Sequence, residues 1–123
     1  MKSLQDYAQK CDRLQDDCPV RAALDLIRGR WKPSILFEIK LGPKRFSDLQ
    51  AALPGCTAQA LTVQLRQLEA DGLVSRTVYP EMPARVEYAL TDFGRSLSDV
   101  MDQLEVLGVE YLVRSNRTGT RRS

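Results

Sequence analysis

Two helical segments joined by a glycine-containing turn, followed at once by two alternating strands, predict an α+β, mostly helical fold of the winged helix-turn-helix type. The helices are expected at about 46–71 and the strands at about 73–90. Phe46-Ser47-Asp48-Leu49-Gln50 opens the first helix of the motif and Leu53-Pro54-Gly55-Cys56-Thr57 breaks it. Ala58 to Ala70 carries the second, and Asp71-Gly72 stops it. Val74, Arg76 and Val78, then Val86, Tyr88 and Leu90, read as paired strands. Tyr79-Pro80-Glu81-Met82-Pro83-Ala84 lies between them as a wing tip whose prolines suit a loop.

The remaining elements follow in chain order. Leu4, Tyr7, Ala8, Cys11 and Leu14 fall at helical spacing, so a first helix is expected over about 3–15. Asp16-Asp17-Cys18-Pro19 interrupts it, and Pro19 suits the first turn of a new helix because its missing N–H costs nothing there. Val20, Ala23, Leu24 and Ile27 are that helix's expected buried face, with Gly29 ending it and Arg28 and Arg30 beside the negative end of its dipole. Trp31-Lys32-Pro33 starts the next helix. Ile35, Leu36, Ile39 and Leu41 are its expected core face, and Gly42-Pro43 stops it. Ser47 with Gln50 matches a capping box, and the Asp48 carboxylate favours the same helix start. In the second motif helix, Leu61, Leu65 and Leu68 form the inward stripe. Thr91-Asp92 caps a last helix of about 20 residues, at about 91–113, with an apolar face of Leu97, Val100, Met101, Leu104, Leu107, Tyr111 and Leu112.

A chain of 123 residues, 43% hydrophobic and 28% charged, is ordinary for one soluble domain with a modest core, here placed at 1–113. Residues 114–123 hold Arg114, Arg117, Arg121 and Arg122 with no acid among Ser, Asn, Thr and Gly, which predicts a disordered basic tail. No apolar run approaches the roughly 18 residues a membrane span needs. The N-terminus lacks a signal-peptide layout, so a cytoplasmic, membrane-free protein is expected. With no His, the commonest general base and metal ligand is missing. The three cysteines form no C-x-x-C pair. Neither an enzyme nor a metal or cofactor protein is expected.

Net charge is only +2, but its distribution is uneven: Arg28 to Arg85 carries nine basic against five acidic residues. A basic middle on a nearly neutral chain suits double-stranded DNA. With Leu61, Leu65 and Leu68 turned inward at about 100° per residue, Gln59, Ala60, Val63, Arg66 and Gln67 face outward with Thr62 flanking, behind Thr57 as the cap. Gln59 matches adenine, Arg66 matches guanine or a phosphate, and Val63, Ala60 or the Thr62 methyl can meet a thymine methyl. A solvated face is the alternative, and its sparse charge argues against it. Lys44 and Arg45, ahead of the short helix, are expected at phosphates. Arg76 and Arg85 flank the wing; either can enter the minor groove or grip the backbone, or pair structurally with Glu87 or Glu81. Lys32 and Lys40 read as solvated.

The terminal helices carry more apolar surface than so small a domain can bury. A homodimer through Leu4, Tyr7, Cys11, Leu97, Met101, Leu104, Leu107 and Tyr111 is therefore expected. Cys18 stands where an N-cap would, so the positive helix end and Arg21 favour its thiolate while Asp16 and Asp17 oppose it. Sensor and inert packing thiol are even from position alone. Cys56 is expected to staple onto the recognition helix near Leu61, and Cys11 to pack. Each is also a redox candidate: oxidation of Cys56 would move that helix, and Cys11 could meet its mate across a two-fold axis.

Several motifs in order resemble one known family. They are Cys18-Pro19-Val20, Gly29-Arg30-Trp31-Lys32, Gly42-Pro43-Lys44-Arg45-Phe46-Ser47-Asp48-Leu49, Leu65-Arg66-Gln67-Leu68-Glu69-Ala70-Asp71-Gly72-Leu73-Val74 and Val86-Glu87-Tyr88-Ala89-Leu90-Thr91. From Cys18 to about Leu112 the chain is similar to the HxlR-type bacterial regulators, relatives of the MarR-type winged helices. The resemblance implies a dimeric transcription factor, here read as a repressor, that binds inverted-repeat operator DNA and dimerises through its terminal helices. It also implies that Cys18 senses electrophiles or oxidants. The chain departs from the family pattern at Cys56, usually aliphatic, and at Leu107-Gly108, often Trp-Gly. Two other readings stand beside this one: a DNA regulator with a small-molecule effector held between the terminal helices and the core, and a winged-helix module that binds protein.

Overall fold

The structure, a computed structural model, describes residues 18–118. The expected first helix, with Leu4, Tyr7 and Cys11, lies outside the described residues. The elements are α1 (Pro19–Asp25), α2 (Lys32–Lys40), β1 (Lys44–Arg45), α3 (Phe46–Ala52), α4 (Ala58–Ala70), β2 (Val74–Tyr79), β3 (Arg85–Leu90) and α5 (Asp92–Thr118). Helices α2, α3 and α4 close over Ile35, Leu36, Ile39, Leu49, Leu61, Leu65 and Leu68, all nearly inaccessible to solvent. The sheet extends that core through Leu73, Val74 and Tyr88.

The sheet is antiparallel with strand order β1-β3-β2. Val74 faces Leu90, Arg76 faces Tyr88 and Val78 faces Val86, so β2 and β3 form the wing. The two-residue strand β1, opposite Tyr88 and Glu87, has no sequence signal of its own. Its pairing also relocates the cap of α3. Because Arg45 is still in the ladder, the helix starts at Phe46, and the Arg45 backbone N–H donates to Asp48 Oδ2 at 3.1 Å. The expected Ser47–Gln50 box is therefore not the one used.

Three further expectations are corrected. Helix α1 ends at Asp25 rather than at Gly29, and none of its residues is buried. Its seven residues stand outside the three-helix core, which leaves Val20 and Leu24 half exposed. Leu41 is 66% exposed because it follows the last helical residue of α2, where the chain turns away from the core. Helix α5 has 27 residues and runs to Thr118, so Arg114 belongs to a helix and pairs with Glu110 at 3.0 Å.

One joint ties α4 to α5. Gly72, at φ 76°, closes α4, and the Leu73 N–H donates back to the Leu68 carbonyl at 3.0 Å. Thr91 then bridges the elements. Its hydroxyl donates to the Gly72 carbonyl at 2.6 Å, its N–H to the Leu73 carbonyl at 3.1 Å, and Gly94 N–H donates to its hydroxyl oxygen at 2.9 Å. Gly94 packs so closely here that a Cβ would overlap the Leu73 carbonyl oxygen, a backbone atom that cannot swing aside. Gly94→Ala is expected to destabilise the fold by about 1–3 kcal/mol, as overpacking does. Thermal unfolding checks this, with Tm falling by roughly 4–8 °C per kcal/mol.

Candidate nucleic-acid interface

Helix α4 is exposed at its N-terminal end, at Thr57, Ala58 and Gln59. Thr57 caps it, accepting the Ala60 N–H at 3.0 Å. Cys56, just before the cap, is 6% exposed and belongs to the apolar cluster that contains Leu61, as a staple requires. The opposite face presents Gln59, Val63, Arg66 and Gln67 to solvent. Two expected contacts are less open. Ala60 lies one residue step, about 100°, from Leu61 and packs partly against the core. Thr62 is half-buried and donates its hydroxyl to the Ala58 carbonyl at 2.8 Å, which commits the polar atom.

The cations around α4 sort by whether a carboxylate holds them. Lys44, Arg45, Arg66 and Arg76 form no ion pair among the described residues. Arg66 and Arg76 line one cleft of about 330 Å³ between α4 and the wing, with Phe46, Thr62, Glu69 and Tyr88. Lys44 and Arg45 sit beside that cleft on β1, which joins the same sheet.

Arg85 differs. Its guanidinium lies 3.3 Å from Glu81 and 3.4 Å from Glu87, and 4.1 Å above the Tyr79 ring. The pairing foreseen as the alternative is the one formed. Two carboxylates and an aromatic face make Arg85 a brace of the wing, not an open cation for a phosphate.

Of the two lysines read as solvated, Lys40 is exposed and Lys32 is not. Lys32 is only 9% exposed, because its stem lies along apolar surface at the start of α2. Lys40 binds Asp102 of α5 at 2.7 Å. That hydrogen bond, with Asp99 and Glu105 adding to it, holds the Lys40 ammonium above its ordinary pKa.

The expected dimer residues divide at the middle of α5. Leu97 is 7% exposed and Met101 packs partly on the core, because the first turns of α5 are pressed onto the domain by the Thr91 joint. Leu97 is thus a core residue. Beyond it, Leu104, Leu107 and Tyr111 are exposed at three- and four-residue spacing, with Leu107 at 60% and Tyr111 at 58%. Between α2 and α5 runs a groove of about 640 Å³, lined by Ile27, Phe37, Met101 and Leu104 with the Lys40–Asp102 pair at its side.

A model of the HxlR-like helix-turn-helix family matches residues 26–116. The chain belongs to this family. Its relatives include the helix-turn-helix-type transcriptional regulator YdeP of Bacillus subtilis, 41% identical over 102 residues, which are 83% of this chain and 80% of YdeP. The redox regulator HypR in its reduced form superposes with a TM-score of 0.72 at 43% identity, covering 75% of this chain and 91% of HypR. Diamide-treated YodB from B. subtilis superposes at 0.68 with 31% identity, over 79% of this chain and 97% of YodB. This HxlR-like protein is a helix-turn-helix transcriptional regulator, from a family of regulators and not of enzymes. Among its described residues no helix is long and apolar enough to cross a membrane.

Proposed function

We propose that this HxlR-like regulator is a homodimeric, sequence-specific DNA-binding repressor held together through α5 and the segment at about 3–15, with one α4 per half-site. The observation that carries the reading is the set Lys44, Arg45, Arg66 and Arg76 around the open face of α4, which form no ion pair among the described residues, whereas Lys40, Arg85 and Arg114 are each held by a carboxylate. Gln59 and Arg66 read base edges, Val63 and the Thr62 methyl meet thymine methyls, and Lys44, Arg45 and Arg76 hold phosphates. Thr57 and Gln67 border that contact. The cytoplasm is the compartment in which such a regulator meets its operator.

Release runs through Cys18. It is the N-cap residue of α1 and half-buried, whereas Cys56 is shielded in the core. A peroxide that transfers one oxygen to the Cys18 thiolate, giving a sulfenic acid while the peroxide is reduced to water or an alcohol, or an electrophile to which the thiolate adds, forming a C–S bond, puts bulk at the start of α1. The redox regulator HypR, and the transcriptional regulator YodB in its reduced and diamide-treated forms, support this reading. Cys18→Ser is expected to bind operator DNA as the native protein does and to keep binding after a mild thiol oxidant. A titration of DNA from upstream of its own gene, with and without oxidant, checks this. Equal oxidant sensitivity in the variant would remove Cys18 from the account. The groove between α2 and α5 favours a second reading, a small apolar effector bound there with the cysteines as packing residues. Binding that is indifferent to oxidant in the native protein would point to it.

A further inference from the structure

We propose that Arg30 and Lys32, at the start of α2, form a second phosphate-binding edge that grips the DNA backbone beside the N-terminus of the recognition helix. This rests on the DNA-binding reading above and assigns it a contact away from the wing. Trp31 places the edge. Its ring reaches the turn before α4, where a Cβ on Gly55 would lie 3.9 Å from Trp31 Cη2. The guanidinium of Arg30 stacks 4.7 Å from the centre of the same ring. Arg30 is therefore held in place and still open to solvent.

Lys32 is the second observation. The residue is nine-tenths buried, and among the described residues its ammonium, which keeps contact with solvent, makes no hydrogen bond or ion pair. The buried side chain fixes where the ammonium reaches the surface, and with no carboxylate of the protein on it the charge is open to an anionic partner. Lys32 is the first residue of α2, and its Cα–Cβ bond leans toward the N-terminal end of the helix. No side chain caps that turn, and Pro33 removes one of its N–H groups. A phosphate oxygen there would meet an ammonium, a stacked guanidinium and the positive end of a nine-residue helix. A recognition helix in the major groove has a phosphate strand on each side. The wing, Lys44 and Arg45 serve one strand, and Arg30 with Lys32 serve the other.

The test is the salt dependence of binding by the full-length protein to a random-sequence 30-base-pair duplex, followed by fluorescence anisotropy. Lys32→Met keeps the buried stem and removes the charge; Arg30→Gln is the second variant. Removing one phosphate partner is expected to flatten the slope of log K against log salt by about 0.9, or about 1.8 for a two-fold dimer. Over a fourfold rise in salt, each variant then loses roughly tenfold less affinity than the native protein. Lys40→Gln, which removes one positive charge at the Asp102 pair, is expected to keep the native slope. Native slopes in both Lys32→Met and Arg30→Gln would overturn the proposal, and a lower Tm with a native slope would reduce Lys32 to packing. Native protein that shows no salt-dependent binding would sink the DNA-binding reading and this edge together.

Discussion

Leu107→Glu is expected to leave the fold intact, to make the protein monomeric, and to weaken operator binding by about a hundred- to ten-thousand-fold. Leu107 is 60% exposed on the protomer, so the fold has little stake in it, and surface changes of this kind usually stay within about 0.5 kcal/mol. What the substitution removes is an apolar stripe. Leu104, Leu107 and Tyr111 lie on the part of α5 that has left its own domain, with Val100 and Leu112 exposed on the same helix. A charge amid such a stripe cannot be buried against a second copy without a partner. Two recognition helices on one operator gain affinity because the second binds at high effective concentration, and a monomer loses that gain. Sedimentation and DNA titration of the same sample separate the two effects. A dimeric Leu107→Glu with native affinity would place the dimer contact elsewhere.

Arg66→Ala and Gln59→Ala are expected to act on base reading and not on folding. Both side chains are exposed on α4, and Arg66 has no ion pair to lose. A bidentate contact to a base edge supplies about 1–3 kcal/mol of discrimination. Each variant should therefore lose about 5- to 150-fold in specific affinity while keeping most of its binding to unrelated DNA. The pair makes a useful contrast with Lys44 or Arg76, whose loss should weaken all sequences alike. Uniform weakening by Arg66→Ala would move that residue to the phosphate set. Its place in the cleft beside Arg76 makes that contrast worth measuring.

The parts of the fold that were legible in the chain are those in which a local pattern and the core agree. Leu61, Leu65 and Leu68 repeat at helical spacing, Thr57 and Gly72 mark the ends, and α4 runs from Ala58 to Ala70 as read. The alternation of β2 and β3 likewise carries the wing. What escaped depends on tertiary pairing. Two residues of β1 carry no periodicity, yet their bonding to β3 moves the cap of α3 to Asp48. Lys32 and Lys40 look alike in sequence. One is sunk against the core by the start of α2, and the other meets Asp102, 62 residues away. Arg85 was open to either fate, and Tyr79 with two glutamates settled it as a brace. Leu97 and Leu107 share one amphipathic helix. The Thr91 joint pins the start of α5 to the domain, which buries Leu97 and leaves Leu107 exposed.

The central claim is that two copies of α4 read a two-fold DNA sequence. Selection from a library of random 40-base-pair duplexes, with the reduced full-length protein, tests it without knowledge of any target. The account predicts enrichment of one inverted repeat whose half-site centres lie about 10–10.5 base pairs, or a multiple of that, apart on the helix. It further predicts that Arg66→Ala relaxes one position in each half. A library that emerges without any shared sequence, or with a single half-site lacking its mate, would contradict it.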